Sequence, residues 1–479
     1  MLPDAVSLSE TKRNLLEKYL RGDLRQVSDT PAITRRIRQS PPPLSLAQQQ
    51  VWLRSQETRG MPPLYNESIT IFRSGHLDVA ALQQAFNQMI RRHEAWRTTF
   101  DLVGGQPVQV IHPDADVPFR MFDLSGAPET TREAEALRLA TEDAMAPFNL
   151  NGGPLVRATL VSLSDHDQRL FLTMHQLIVD GISVYDIIPS ELSVLYEAFL
   201  NRKFSPLPDL SFQFADFALW QRDWLQRDVL ANQVSYWRKQ LAGDLPVLQW
   251  PNTRPRPPFQ TYRGAIESFT LPKALTDALR ELSQRERVSL FATLLAGFAT
   301  LLRRYTGQDD IIIGTLAPTG RKRSEFQRLL GYFLNPVALR IDLSGNSTFR
   351  ELLLHSQQVT LEALSHDDVP LEDLAQELRL TPDPSRHPFF NVVISLAPNV
   401  PDLPQGWDMT PMDVESGGAR WDLYLEMNDR PNGLIGRAQY NPDLFDVANI
   451  VTLIENLRTL LSAAVSNPQQ GLLELLSCK

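Results

Sequence analysis

Apolar side chains recur along the chain with two different spacings. Residues 78–92 carry them every three or four positions, which predicts a helix with one buried face. The same spacing predicts helices over 184–200, 273–286, 289–304 and about 446–464. A short run, Ile311–Ile313, predicts a buried strand that ends at Gly314. The other predicted strands are 108–111, 156–161, 170–174, 336–341, 391–396, 423–427 and 434–440.

Strands and helices mix in both halves of the chain, which indicates an α/β class of fold (α+β layered). A chain of 479 residues is too long for one ordinary core, so two lobes of similar kind are expected. Residues 7–21 predict a short amphipathic helix that three prolines, 41–43, separate from the rest of the chain. This helix either packs on its own domain or serves as a linker or docking helix, and amphipathicity does not choose between them.

Composition excludes several classes of protein. The net charge of −9 gives no support to a nucleic-acid or anionic-membrane partner. No apolar run approaches the roughly 18 residues that cross a bilayer, and the first residues lack the pattern of a secretory signal. The single cysteine, Cys478, allows no internal disulfide or thiolate metal cluster. A cytoplasmic protein without membrane attachment is expected.

One candidate site lies just after the predicted strand 170–174. His175 is followed by Asp180 and Gly181, an order typical of an active-site turn at the end of a strand. Each residue also has a structural interpretation. His175 could be a hydrogen-bonded structural residue, Asp180 could cap the helix that begins after it, and Gly181 could supply a backbone shape that a side chain would forbid.

No competing catalytic system is present. The sequence has no Walker phosphate loop, no Gly-x-Gly-x-x-Gly, no Gly-x-Ser-x-Gly and no His-Glu-x-x-His. Two carboxylate clusters, 309–310 and 366–368, are interpreted as solvated loop residues, so a metal site is not expected.

Seven segments, in order, resemble the seven motifs of the condensation domains of nonribosomal peptide synthetases. The resemblance covers nearly the whole chain from about residue 40. In that family the third motif reads His-His-x-x-x-Asp-Gly, and here Gln176 stands at its second His. The segments are 45–52, 92–100, 174–183, 214–221, 331–340, 366–372 and 384–392.

The resemblance implies a fold and a set of partners. The fold is a V-shaped pseudo-dimer of two lobes resembling chloramphenicol acetyltransferase, placed at 36–215 and 216–479, with 1–35 as a linker or docking segment. A tunnel runs between the lobes. An upstream donor carrier protein and a downstream acceptor carrier protein deliver thioesters on phosphopantetheine arms, and an adenylation domain adjoins. The domain is expected to be a monomer that binds no cofactor itself.

The resemblance also implies residue roles. Gln176 occupies the catalytic position in a site that also contains His175, Asp180 and Gly181. The histidine and the aspartate mainly hold the loop, the aspartate through an arginine. By position, that arginine is one of three residues: Arg92, Arg97 and Arg321. The fifth motif supplies two further supporting residues, Asn335 and Arg340.

Gln176 changes the expected activity. Its amide can accept and donate hydrogen bonds, but it cannot take up a proton near pH 7 as an imidazole can. Amide formation between a carrier-bound donor and the α-amine of a carrier-bound acceptor is therefore expected to be impaired. Gln176 is either a deliberate His→Gln substitution, which the otherwise intact motif favours, or a natural variant in an inactive carrier-binding or recruiting module. A third interpretation is an acyltransferase that uses coenzyme A thioesters.

The subtype is partly indicated by the motifs. They resemble those of domains that take an L-configured donor or an acyl or polyketide starter, and the Asp-x-x-x-x-Asp of cyclisation domains is absent. The upstream partner is expected to be a polyketide synthase or a peptide synthetase. The chain is expected to be one domain of a larger protein.

Overall fold

The computed structural model of the chain describes residues 32–37, 40–225, 227–250, 254–345, 347–410 and 414–475. The helix predicted over 7–21, nearly all of the proposed linker segment and Cys478 lie outside the described residues.

Twelve α-helices are present in the described part of the chain, and those predicted within this part are among them. Helix α2 begins at Val79 because the Asp78 carboxylate accepts a hydrogen bond from the Ala81 N–H at 2.8 Å. None of the helices in the described ranges is long and apolar enough to cross a membrane. The helices are α1 Leu46–Glu57, α2 Val79–Arg92, α3 Glu129–Met145, α4 Ile188–Leu200, α5 Phe214–Trp224, α6 Arg227–Gln240, α7 Lys273–Glu286, α8 Leu290–Thr306, α9 Phe349–Leu364, α10 Leu371–Glu377, α11 Val447–Ser466 and α12 Leu472–Leu475.

The strands of the described residues form two large sheets and one hairpin. They are β1 Asn66–Ser74, β2 Thr98–Val103, β3 Gln106–Ile111, β4 Phe119–Asp123, β5 Val156–Ser164, β6 Asp167–His175, β7 Ala265–Pro272, β8 Asp310–Ala317, β9 Asn335–Asp342, β10 Val392–Ala397, β11 Trp407–Thr410, β12 Leu423–Arg430 and β13 Gly433–Tyr440. Helices and mixed sheets in both halves confirm the predicted fold class.

The first sheet has the strand order β11-β1-β6-β5-β4. Its central pair, β1 and β6, is antiparallel and places Asn66 opposite His175 and Glu67 opposite Met174. Strand β1 was not predicted from the sequence, although it brings Glu67 beside the candidate site. Strand β11 comes from the second half of the chain and pairs with β1, so the two halves share this sheet.

The second sheet has the order β7-β13-β12-β10-β8-β9. The prediction that strand β8 ends at Gly314 is wrong, because the strand continues to Ala317. Gly314 lies inside the sheet, opposite Ala338 on one side and Val393 on the other. A Cβ at Gly314 would lie 2.2 Å from the Phe390 ring, so the glycine makes room for an aromatic side chain instead of ending the strand.

Two large apolar cores lie in the two halves. One surrounds the first sheet with α2 and α4, and the other surrounds the second sheet with α8, α9 and α11. The proposed lobe boundary at 215/216 falls within helix α5, and the division into 36–215 and 216–479 stays a prediction.

Candidate active site

His175 is the last residue of β6 and is a packed, neutral side chain. Its Nδ1 accepts a hydrogen bond from the Leu177 N–H at 3.2 Å, which leaves the ring proton on Nε2. Burial lowers the pKa of His175 to about 3, so the imidazole is uncharged near pH 7. The ring lies between Tyr65 and Phe148, with centroids 6.0 and 6.2 Å away. This environment fits the structural interpretation of His175.

Gln176 faces a different cavity from His175. It lines a space of about 130 Å³, whereas His175 lines a neighbouring one of about 300 Å³. The Gln176 backbone N–H donates to the Tyr65 carbonyl at 2.8 Å, which fixes the turn after β6. Its side-chain Nε2 donates to a carboxylate oxygen of Glu67. The other amide atom, Oε1, is buried and has no hydrogen-bond partner among the described residues.

Asp180 is paired with Arg321, which resolves the choice among three arginines. The guanidinium Nη2 donates to Oδ1 at 2.7 Å and Nε donates to Oδ2 at 3.0 Å. Arg92 instead binds Glu191 at 3.1 Å, and Arg97 donates to the carbonyl of His112. Of the three arginines, Arg321 is the one that contacts Asp180.

Asp180 also acts as a cap. Its Oδ1 accepts hydrogen bonds from the Ser183 N–H and hydroxyl, each at 2.8 Å, at the start of the helical segment that leads into α4. The helix-cap and ion-pair interpretations of Asp180 are thus both correct, because one carboxylate makes both sets of contacts.

Arg321 is held from several directions. Its Nη1 donates to the carbonyls of Phe326 and Leu329 at 2.9 and 2.7 Å, and its guanidinium lies 4.2 Å from the Phe333 ring centroid. Only 4% of the residue is exposed. The ion pair therefore connects the turn that contains Asp180 to the loop that contains Arg321.

Gly181 does not have the backbone role that was predicted. Its φ lies outside the positive region, and a Cβ there would meet only Pro398 Cδ at 3.7 Å, an ordinary contact. Gly181 lines the same cavity as Gln176. The glycine consequently keeps space open in the cavity, since no unusual backbone shape requires it.

Asn335 and Arg340 lie away from Gln176. The Asn335 amide donates to the carbonyls of Asp367 and Val369 at 2.7 and 2.9 Å, so it shapes the loop before α10. Arg340 binds the carboxylate of Asp310 at 2.7 Å. Neither residue lines the cavity that holds Gln176.

The interpretation of residues 366–368 as a solvated cluster is wrong. Asp367 and Asp368 are 0% and 8% exposed. Lys322 forms an ion pair with Asp367, and Gln233 donates to Asp368 at 2.7 Å. Burial, together with the neighbouring Asp367, raises the pKa of Asp368 to about 7. No group of three metal-binding side chains is found here or elsewhere in the described ranges.

Charged residues that the sequence did not single out also line the Gln176 cavity. Arg437 Nε donates to Glu426 at 2.8 Å, and the Tyr185 hydroxyl donates to the same carboxylate at 2.9 Å. Burial opposes the charge of Arg437, but the attraction of Glu426 and Glu67 raises its pKa above the ordinary value. Glu426 and Arg437 lie opposite each other on β12 and β13. A charged residue inside an otherwise apolar strand is the sequence signal that could have identified them as residues of the site.

A second space adjoins the first. It measures about 70 Å³ and shares three lining residues with the Gln176 cavity: Tyr332, Leu334 and Arg420. It extends past Tyr65 and Glu372. The two spaces are lined by both halves of the chain, so an extended ligand could approach Gln176 between them.

The arrangement provides positioning and hydrogen bonding. The Gln176 amide can form a hydrogen bond with an amine in the cavity, and the carboxylate of Glu67 beside it can attract a cation. The Asp180–Arg321 pair holds the turn in place. Such a site suits a reaction between two bound groups that react once they are aligned.

Residues 38–478 match the family model of the condensation domain. One of the linear gramicidin synthase proteins of Brevibacillus parabrevis is 42% identical over 452 residues, covering 92% of this chain and 9% of that protein. The chain thus spans less than a tenth of the length of this curated relative. The X-domain from teicoplanin biosynthesis, solved in complex with OxyB, superposes with a TM-score of 0.78 at 27% identity, covering 94% of this chain and 99% of that one.

The fold is also that of the first condensation domain of the calcium-dependent antibiotic synthetase, with a TM-score of 0.79 at 20% identity over 91% of this chain and 99% of that one. The chloramphenicol-acetyltransferase-like fold implied by the motifs is therefore confirmed. With a family match over most of its length and its fold in agreement, the chain belongs to the condensation-domain family.

Proposed function

We propose that the chain is the condensation domain of a nonribosomal peptide synthetase and that its reaction is amide formation. The donor is an acyl or peptidyl thioester on an upstream carrier protein, and the acceptor is the α-amine of an aminoacyl group on a downstream carrier. The likeness to a gramicidin synthase supports this proposal. The observation that carries it is the braced turn, in which the buried Asp180–Arg321 pair presents Gln176 to a cavity between the two halves.

The chemistry places modest demands on the protein. An amine reacts with a thioester once the two are held in line, so alignment in the cavity supplies much of the acceleration. The Gln176 amide, which lines the cavity, hydrogen-bonds to the attacking amine and orients its lone pair. The phosphopantetheine arms of the two carriers enter along the two connected spaces, and no cofactor of the domain itself takes part.

Gln176 reduces the rate in this proposal. An imidazole with an ordinary pKa of about 6.5 can relay the proton that the amine loses, whereas an amide cannot. Loss of a general base costs roughly 10²- to 10⁴-fold. Whether the glutamine is a deliberate or a natural replacement does not change this expectation.

A second candidate is a module that recruits a partner without performing chemistry. The similarity to an X-domain solved in complex with OxyB supports it, because that protein shows this fold bound to another protein. This alternative predicts that carriers or partner proteins bind while no amide forms, with either residue at position 176.

The test compares the chain with its Gln176→His variant. Carrier proteins loaded with a panel of acyl and aminoacyl donors are mixed with carriers loaded with L-aminoacyl acceptors, and amide products are measured by mass spectrometry. At least a 100-fold faster reaction in the variant supports the proposal. Equal, full turnover in both overturns the role given to Gln176.

Two further outcomes decide between the alternatives. The recruiting module is supported if neither protein forms an amide with any pair while both still bind carriers. Equal rates with free coenzyme A thioesters and with carrier-bound donors support an acyltransferase acting on free substrates. Glu133→Gln, on the exposed face of α3, is the matched control and is expected to react like the parent.

A further inference from the structure

We infer that Glu67 is a further catalytic residue, whose carboxylate receives the proton of the acceptor amine in place of an imidazole at position 176. The inference rests on the proposed amide-forming function and assigns the proton transfer that Gln176 cannot perform.

Glu67 lies beside Gln176, where a residue that receives the proton of the amine has to lie. It is the second residue of β1 and pairs in register with Met174, two positions before Gln176. Its side chain lines the same cavity as Gln176, and it is 24% exposed, so a bound amine can reach it. The contact between the two side chains is direct, from the Gln176 Nε2 to the Glu67 Oε1.

The hydrogen bond with Glu67 sets the orientation of the Gln176 amide. The NH₂ group has to face the carboxylate, because the amide oxygen would be repelled by it. Oε1 is consequently directed elsewhere and is left without a partner among the described residues. An α-amine in the cavity would present an N–H group to the Glu67 carboxylate, which is partly exposed there.

The other carboxylates of the cavity are already engaged. In the described part of the chain, three carboxylates line it: Glu67, Asp180 and Glu426. Asp180 is bound at close range by Arg321 and Ser183. Glu426 accepts from Arg437 and Tyr185.

Glu67 is held less tightly than these two. Its Oε2 forms a longer ion pair with Arg437, 3.6 Å from Nη2 and beyond hydrogen-bond distance. The Gln176 N–H that it accepts belongs to a neutral amide and not to a cation. Of the three carboxylates, Glu67 is therefore the best placed to exchange a proton.

The step balances without any other reactant. The amine nitrogen attacks the thioester carbon, a C–N bond forms and the C–S bond breaks. The proton leaves the nitrogen for the Glu67 carboxylate and then passes to the departing sulfur, which becomes the thiol of the donor's phosphopantetheine arm. Glu67 ends the cycle as a carboxylate, ready for the next amine.

The experiment uses four proteins: the parent, Glu67→Gln, Gln176→His and the double variant. Single-turnover amide formation is followed with loaded carriers across a pH series. Glu67→Gln is expected to slow the parent at least 100-fold and to change the dependence of the rate on pH, because no carboxylate then receives the proton. In the Gln176→His background the same change is expected to cost less than about tenfold, since the imidazole then carries the proton.

A conservative variant keeps the test valid if Glu67→Gln is unstable. Glu67→Asp retains the carboxylate but withdraws it by one methylene, so kcat is expected to fall while KM changes little. Thermal melts of every variant establish that it is folded. Glu133→Gln, which changes an exposed glutamate on α3, is expected to leave both the rate and the pH profile unchanged.

The possible results distinguish a failure of the Glu67 inference from a failure of the proposed amide-forming function. If Gln176→His forms amides and Glu67→Gln leaves the parent rate intact, the inference is wrong and the proposed function stands. Equal losses from Glu67→Gln in both backgrounds also overturn it, because they indicate a structural role. If no folded variant forms an amide, the proposed function falls and the inference falls with it. Full activity of Glu67→Asp would also contradict the inference, because it would show that the carboxylate does not have to be precisely placed.

Discussion

Asp180 and Arg321 are 141 positions apart and form a two-pronged ion pair, with N–O distances of 2.7 and 3.0 Å. Both residues are almost completely buried, at 3% and 4% exposure. The pair connects the turn after β6 to the loop after β8, and these elements belong to different sheets. The geometry of the candidate site thus depends on a contact between the two halves of the chain.

Removing Arg321 is expected to destabilise the protein strongly. Arg321→Ala leaves Asp180 buried without its cation, and breaking a buried pair in this way costs roughly 3–5 kcal/mol. Arg328→Ala is the matched control, because Arg328 and Asp186 join nearly the same two segments at 3.2 Å but their side chains are 50% and 32% exposed. It is expected to cost about 0–1 kcal/mol. Urea denaturation measures both free energies of unfolding, and similar small losses would contradict the structural role of the buried pair.

Substitutions at Gly181 are expected to separate stability from activity. Gly181→Ala should leave the melting temperature nearly unchanged, because a Cβ meets only an ordinary contact, with Pro398 at 3.7 Å. Gly181→Leu fills part of a cavity of about 130 Å³ and should lower the rate of amide formation at least tenfold. Thermal melts and the carrier assay measure the two effects. A large stability loss in the alanine variant would show that the backbone role is real after all.

The sequence predicted well those parts of the fold that depend on local pattern. The helix over 78–92 has both apolar spacing and an N-terminal cap, and it begins within one residue of the predicted position. The motif around His175 was likewise visible, since it is contiguous. Its arginine partner was not, because three arginines fitted by position and only the packing of distant loops brings Arg321 to Asp180.

Long-range contacts explain the remaining failures. Strand β1 was missed, and with it Glu67, because its position beside Gln176 depends on sheet register and not on local spacing. Gly314 was interpreted as a strand end because glycine usually marks turns, whereas here the Phe390 ring occupies the space. The sequence predicts that Asp367 and Asp368 are solvated, yet both are buried and contact Lys322 and Gln233, respectively. In each case the deciding partner lies far away in the sequence.

Gly314→Ala is expected to be destabilising although alanine is compatible with a strand. The new Cβ would approach the Phe390 ring to 2.2 Å, and the ring is confined in the core of the second sheet. Overpacking of this kind costs about 1–3 kcal/mol. Gly126→Ala is the control, since its Cβ would meet nothing within 4 Å. Thermal denaturation of both variants checks the expectation, and an unchanged melting temperature for Gly314→Ala would show that Phe390 can move aside.

Acid is expected to destabilise the protein through two histidines that are neutral in the folded state, the buried His175 and the partly buried His387. Burial, with a smaller effect from Arg54, lowers the pKa of His387 to about 3, and burial also lowers the pKa of His175 to about 3. In the unfolded chain a histidine titrates near 6.5. Below that pH the unfolded state binds more protons than the folded state, so stability that is present above pH 6.5 is lost as the pH falls towards 3. The loss approaches about 1.4 kcal/mol per pH unit for each such group.

His387→Asn tests this pH dependence away from Gln176. The variant retains a side-chain acceptor for the Phe389 N–H, which His387 Nδ1 binds at 3.4 Å, but it has no imidazole to titrate. Between pH 7.5 and 5.5 the variant is expected to lose on the order of 1 kcal/mol less stability than the parent. His166→Asn changes an exposed histidine in the turn before β6 and should track the parent curve. Urea denaturation at a series of pH values gives the slopes, and parallel curves for parent and His387→Asn would show that His387 takes up its proton in the folded state.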